Sequence, residues 1–370
     1  MRIFKLTLAA MLALAVVLTS CRKDEPGGDS HTPIKMVLAD SCHIKVDGVI
    51  NSKQYFTFNA YGLPVETRRV KAEGNGFVND SLVKRGFDKH RNMLFEERYV
   101  WKNGFWNTAS KREYTYHSND SIATYIAYNG NGDVSGWRAT EKHEYDYDKS
   151  GVKTKHNAYT AVSGDILKLK SSLTSAVDPE TGLCTFATEY IYDDNGVKTP
   201  VTRTEYTRYD DGNVKVAGVD KREGDVWKSY CISTFTYDAG GRKTLEMGAI
   251  YNTDKGVYDM DEMIGISYTT DGKLTKYKRD CKFDDESNLS TEKLVENEYN
   301  ASSKVVKYHL ETKDGKFRGK LNAHLIKSAD CAYKYDNAGN LIEETFNYDF
   351  LFKLWPEKGV IEYFNSEHVF

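Results

Sequence analysis

The residues best suited to meet a ligand are Trp101, Trp106, Trp137 and Trp227, set among 26 tyrosines in 370 residues. An aromatic face stacks on the apolar face of a sugar ring, so a sheet presenting such rings at intervals could hold a glycan. The same regular placement is also how a repeat packs its neighbours, and a core stripe is the other reading. Carboxylate pairs at Asp193-Asp194, Asp210-Asp211 and Asp284-Asp285 have the residue types of glycoside chemistry or calcium binding, yet they sit where turn residues belong. Asn129, Asn131 and Asp133 alternate as in a calcium loop, without the Gly or the bidentate Glu such a loop needs. The nine histidines, among them His43, His90, His117, His143 and His156, are scattered. No Gly-x-Ser-x-Gly elbow, His-Glu-x-x-His helix or phosphate-cradling glycine loop occurs. The expectation is a protein without catalytic residues, metal or cofactor.

Charge narrows the partners. Lys plus Arg is 51 and Asp plus Glu is 54, a formal net charge of −3, which excludes a field strong enough to gather nucleic acid. An aromatic content of 13% with only 6 Pro is too much buriable surface for a disordered chain.

The N-terminus runs from Arg2 and Lys5 through an apolar stretch, Leu6 to Leu18, to Leu18-Thr19-Ser20-Cys21. This is the layout of a signal peptide, too short to remain as a membrane span. Leu-Thr-Ser-Cys resembles a bacterial lipobox, which implies a lipid on Cys21 after cleavage. The Arg22-Lys23-Asp24-Glu25 cluster resembles the export tag of Bacteroidetes surface lipoproteins, which implies an outer-membrane anchor and display at the cell surface. Membrane contact is expected through that lipid alone, since the body has no basic patch.

The elements that must position the aromatics come from a repeat. Clear copies of one turn signal are Tyr147-Asp148-Lys149-Ser150-Gly151, Tyr192-Asp193-Asp194-Asn195-Gly196, Tyr237-Asp238-Ala239-Gly240-Gly241 and Tyr335-Asp336-Asn337-Ala338-Gly339. With weaker copies at Phe87, Tyr116, Tyr268 and Tyr299, the period is about 31 residues, interrupted by what read as two equal insertions between Tyr147 and Tyr237. Ten residues before Tyr116, Tyr147, Tyr237 and Tyr268 stand Trp106, Trp137, Trp227 and Tyr258, three of them just after a Gly turn. Each unit reads as strand, Gly turn, strand, Tyr-Asp turn, a β-hairpin. In each turn the Asp can accept backbone N–H groups and the later Gly can adopt the left-handed conformation. Even offsets place Trp227, Ser229, Cys231, Ser233, Phe235 and Tyr237 on one face.

Tyr237-Asp238-Ala239-Gly240-Gly241-Arg242 and Tyr335-Asp336-Asn337-Ala338-Gly339-Asn340 resemble the Tyr-Asp repeats of the RHS family. The resemblance covers about residues 87 to 345 and implies hairpin architecture; the unit is longer than is usual there, and no toxin-like segment follows.

The expected organisation is a signal peptide over 1–20, a tether over 21–33, a β cap over 34–86, the hairpin array over 87–345 and a second cap over 346–370. The fold class is all-β, an antiparallel meander of about sixteen strands forming a long twisted or curled sheet with one dry face; barrel, sandwich and solenoid all remain compatible with the period. Cys42, Cys184, Cys231, Cys281 and Cys331 read as buried thiols rather than as a disulfide framework. Three functions remain open. One is a non-catalytic surface module that binds a glycan or a protein; the second is an envelope glycan-processing enzyme with carboxylates drawn from separate repeats; the third is a structural envelope protein.

Overall fold

A computed structural model describes residues 35–132, 136–163, 166–324, 326–350 and 358–369. The signal peptide and the whole of the tether, with Cys21, lie outside the described residues. All elements among the described residues are strands. In chain order they are β1 (Lys35–Val46), β2 (Val49–Phe58), β3 (Pro64–Glu73), β4 (Gly76–Phe87), β5 (Met93–Lys102), β6 (Phe105–Tyr116), β7 (Ile122–Gly130) and β8 (Trp137–Tyr147). There follow β9 (Lys153–Ser163), β10 (Ile166–Val177), β11 (Cys184–Tyr192), β12 (Lys198–Arg208), β13 (Val214–Glu223), β14 (Val226–Tyr237), β15 (Lys243–Asn252) and β16 (Val257–Tyr268). The last are β17 (Leu274–Cys281), β18 (Ser290–Tyr299), β19 (Val305–Thr312), β20 (Gly315–Phe317), β21 (Lys320–Asn322), β22 (Ile326–Tyr335), β23 (Leu341–Phe350) and β24 (Lys358–Val369).

Each strand pairs antiparallel with the next, except that β19 passes over the small β20–β21 hairpin to pair with β22. The last strand then pairs with the first, Lys35 opposite Val369 and Ile44 opposite Ile361. The sheet is therefore a closed barrel of 22 strands, not an open curled sheet, and the described residues form 24 strands rather than about sixteen. The segments expected as caps at 34–86 and 346–370 supply the two strands that meet each other. Closure satisfies the ladder groups that an open edge leaves bare.

The expected insertions are absent. The even strands end at Phe58, Phe87, Tyr116, Tyr147, Val177, Arg208, Tyr237, Tyr268 and Tyr299, 29 to 31 residues apart. The 90 residues from Tyr147 to Tyr237 are thus three regular hairpins. Tyr192-Asp193 misleads because it ends an odd strand and lies at the opposite rim. The period breaks only before Tyr335, where β20 and β21 intervene.

The turns after the even strands form one rim, called rim A, and share one geometry apart from the turn after β10, which is one residue longer. Asp238 N–H donates to the Arg242 carbonyl and Gly241 N–H to the Asp238 carbonyl, while Asp238 Oδ1 accepts from Gly240 and Arg242 N–H at 2.9 Å each. Asp148 does the same for Ser150 and Val152. The fourth turn residue is left-handed, at φ +74° for Gly241 and +84° for Gly339, which explains the glycine. The leading tyrosine ties neighbouring units: Tyr268, Tyr299 and Tyr335 donate to the carbonyls of Lys243, Leu274 and Val305, the first residues of β15, β17 and β19. The residue after the Gly position covers the next unit's ring, with Arg242 over Tyr268 at 5.0 Å and Lys304 over Tyr335 at 5.4 Å. The Tyr-Asp motif is therefore an architectural unit in which each residue type has a packing role.

Register around the ring sorts side chains into two faces. One face gathers Cys42, Ile44, Leu310, Ala329, Cys331, Tyr333, Phe346, Tyr348, Ile361 and Tyr363 from β1, β19 and β22 to β24 into one buried cluster. Register places Arg208, at the end of β12, on the same face, where it reaches Asp148 beyond β8 at 2.8 Å; contact across four strand places requires the sheet to curl toward that face, so it is the inner one. The outer face carries ladders of paired charge, among them Lys111 with Glu97 and Glu113, Lys142 with Glu144, Lys276 with Glu296 and Lys307 with Glu298. The inner face carries Arg85, Glu96, Arg98, Glu262 and Arg279. A membrane-spanning barrel needs an apolar outer band, where each mid-plane Lys or Arg costs about 2–4 kcal/mol. The outer ladders named above place paired charge where such a band would lie.

Candidate functional site

On the inner face of β6 to β9 a file of rings crosses four strands. Tyr114 and Tyr125 are cross-strand partners with centroids 5.4 Å apart, and Tyr125 meets His143 at 5.8 Å. His143 and His156 stack at 5.2 Å with 18° between planes, and Nδ1 of the first lies 2.9 Å from Nε2 of the second. Tyr145 stacks on His156 at 4.8 Å, and Lys153 Nζ sits 4.8 Å from the Tyr145 ring centre. Two imidazoles in one hydrogen bond need one donor and one acceptor. Burial, reinforced by Lys153 and His143, pushes His156 below the ordinary histidine range, so a neutral ring is available for that role.

All five rings of the file are half-exposed, which leaves faces and edges open to a ligand. Beside them Glu96 is bound by Arg85 at 2.9 Å and by Arg98 at 2.7 Å. Burial alone would raise Glu96, but Arg98 and Arg85 hold it below the usual carboxylate range. The wall thus offers stacking surfaces, imidazole and guanidinium donors and ionised acceptors, the set that orients a sugar. The sequence reading passed over it because each histidine is alone in its own strand. The available signal was the alternation His143, Tyr145, Tyr147, three rings on one face of one strand.

The four tryptophans stand elsewhere. Every even strand from β4 to β18 carries one extra residue within its first five, such as Ala109 in β6 and Tyr230 in β14, where the register shifts. A bulge moves the residues before it to the other face. Trp227 therefore pairs outward with Arg222 although Cys231 faces in, and the even-offset assignment of both to one face is corrected. Trp101 and Trp106 form a cross-strand pair, centroids 5.0 Å apart at 69°, and Trp137 meets Tyr99 at 5.8 Å. These three cluster on the outer surface near rim B, the rim of turns after the odd strands. Trp227 is apart from them, under Arg203 at 5.0 Å. All four are half-buried, so none belongs to the core.

The carboxylate pairs act in turns: Asp193 Oδ1 accepts from Asn195 and Val197 N–H, Asp211 from Asn213 N–H, and Asp284 from Gly319 N–H. Cys42, Cys184, Cys231, Cys281 and Cys331 are free and buried, and burial, with Glu344 nearby, pushes the Cys42 and Cys331 thiols up to about 12. Across the barrel the β20–β21 hairpin folds over the inner face. There Arg318 grips Asp261 at 2.7 and 2.8 Å, and the guanidiniums of Arg318 and Arg279 lie 5.0 and 5.3 Å from the Phe317 ring centre. Glu292 joins this network through Arg279 and His324.

No family model matches the sequence, and no curated protein matches it. Solved structures similar in part include a protein of unknown function from Bacteroides fragilis, 14% identical over 34% of this chain and 91% of that one, TM-score 0.28. A porin-like protein from Bacteroides uniformis is 9% identical over 90% of this chain and 97% of that one, TM-score 0.24. A chain of the Photorhabdus luminescens Tc holotoxin pore is 11% identical over 85% of this chain, TM-score 0.26, and this chain spans 19% of its length.

Proposed function

We propose that this protein is a lipid-anchored envelope binding module, tethered through Cys21, that holds a glycan against the inner wall of β6 to β9. The observation that carries the reading is the file of half-exposed rings from Tyr114 to His156, with Arg98, Glu96 and Lys153 at its borders. Inner carboxylates at Glu96, Glu262 and Glu292 are each bound to guanidinium groups, so none of these three is a free carboxyl group of the kind a glycosidase sets facing one bond. The test is a thermal-shift screen of the mature chain against host and plant glycans. A ligand at a hundredfold excess over its dissociation constant adds about 2.7 kcal/mol to stability. The expected result is a rise in midpoint with one glycan class that disappears in His143→Ala and Tyr145→Ala. A rise that survives both substitutions moves the ligand off this wall, and no rise with any glycan ends the glycan reading.

A further inference from the structure

The strands that lead to the ring file carry an imbalance of charge on their inner face. Among the described residues, the inward positions of β4 to β8 hold Arg85, Arg98, Lys102, Arg112 and Arg138 against Glu96 and Glu141. Asp80, at the bulge of β4, is held by Arg69 of β3 at 3.6 Å and does not offset them. This sector is therefore net positive within a chain whose formal net charge is −3. Glu96 takes up two of the cations, its Oε2 accepting from Arg85 at 2.9 Å and its Oε1 from Arg98 at 2.7 Å. Arg112 is the cross-strand partner of Glu96, yet among the described residues it is in no ion pair.

Arg112 borders a notch in the wall. Its partner on β7 is Ala127, and the partner of Ala127 on β8 is Glu141. A methyl group thus lies between a guanidinium and a carboxylate two strand spacings, about 10 Å, apart. Along β7 the same methyl is flanked by Tyr125 and Asn129. Arg112, Tyr125, Ala127 and Glu141 are all half-buried, so the notch is open to the lumen. Burial raises the hydroxyls of Tyr114 and Tyr125, and the charge of Arg112 opposes the rise at both, which places the guanidinium beside the ring file. A guanidinium holds a carboxylate or sulfate by two parallel N–H···O bonds, while an aromatic face takes the attached sugar ring. We propose that the glycan held on this wall is an acidic one, its carboxylate or sulfate lying over Ala127 against Arg112 and its ring against Tyr125. Glu141 fixes the orientation, because it repels the acid group and accepts from a sugar hydroxyl on the opposite side of the notch. A neutral sugar leaves Arg112 without a counterion. The inference rests on the glycan reading of the wall and adds to it the charge of the ligand.

The test is calorimetric titration of the mature chain with two matched pairs of sugars. Oligogalacturonate, which carries carboxylates alone, is compared with its methyl ester, and sulfated galactan oligosaccharides, which carry sulfates alone, with their desulfated forms. The expected result is binding of at least one charged member that weakens about tenfold or more when the acid group is masked or removed, because a charge-assisted pair is lost. This comparison alters the ligand alone, so the fold of the protein does not enter it. Arg112→Gln should produce the same loss, and Arg112→Lys, which keeps the charge without the fork, should recover part of the affinity. Charged and uncharged members that bind equally, with binding lost in His143→Ala, overturn the acidic ligand and leave the glycan reading standing. Acidic sugar that still binds Arg112→Gln and His143→Ala and is released by salt is held by diffuse charge elsewhere, which also overturns it. No binding of either charged sugar overturns it as well; a neutral glycan that raises the melting midpoint would then uphold the wall as a glycan site, and no rise with any glycan would end both readings.

Discussion

The seam where β22 to β24 meet β1 and the wall from β6 to β9 are made of the same hairpins and face the same interior, yet one is dry and the other wet. In the seam Phe346, Ala329, Ile44 and Cys42 are at most 3% exposed, while on the wall the corresponding positions hold half-exposed tyrosines and histidines. The backbone repeat sets where side chains point, and the residue type at each inward position decides whether water stays. Stability is thereby gathered on one side of the barrel and ligand chemistry on the other.

The largest effect that would break this contrast is a cavity. Phe346→Ala should lower the unfolding free energy by about 3–5 kcal/mol, whereas Tyr125→Ala on the wall should cost about 1 kcal/mol, since little surface there leaves water. Equal losses in urea titrations would erase the distinction between the two regions.

Next comes a buried inner carboxyl, Glu344. Glu344 is 1% exposed; its Oε2 accepts from the Tyr363 hydroxyl at 3.0 Å and its Oε1 has no partner. Burial pushes it up from 4.5 to about 7. At this group the folded protein therefore binds more protons than the unfolded chain between those values, so its contribution to stability is greatest below about 4.5 and falls as pH rises toward 7. The penalty at pH 8 is about 3 kcal/mol. Glu344→Gln should recover most of it at pH 8 and change little at pH 4. A wild-type stability that stays level across this window would show that the seam is not dry around this group.

Smaller still is the repeat's own tie. Tyr335→Phe removes the 2.7 Å hydrogen bond to the Val305 carbonyl and should cost about 1 kcal/mol by thermal melting. A loss below a few tenths would show that ring packing alone joins the units. Smallest is His143→Ala, which should stay within about 0.5 kcal/mol of wild type while abolishing the glycan-induced midpoint rise. A large destabilisation there would make the His143–His156 pair a packing element like those of the seam.

Much of this was legible in the residues. The Tyr-Asp turn is a local chemical device, so its carboxylate, its left-handed Gly and the strand that ends on it could be read at Asp148, Asp238 and Asp336. Closure was not legible, because the pairing of β1 with β24 joins the two ends of the chain and leaves no local mark. Tyr192 carried the right letters in the wrong phase, and only the pairing of β11 with β10 and β12 shows which rim it occupies. Trp227 was placed on the wrong face by counting in twos through a bulge that composition does not announce. The ring file on the wall was missed because stacking of His143 on His156 is a property of two strands together.

The pairing of β1 with β24 also means that the barrel has no privileged starting point. Both described ends, Lys35 and Val369, meet at rim A, so a short linker between them could make a circle of chain that opens at any other turn. A permuted protein beginning at β9, for instance, would fold to the same barrel with its termini beside Asp148. In the natural order, by contrast, β1 has only one neighbour until the final strand has formed, and the seam that contributes most stability is the last part of the molecule to close.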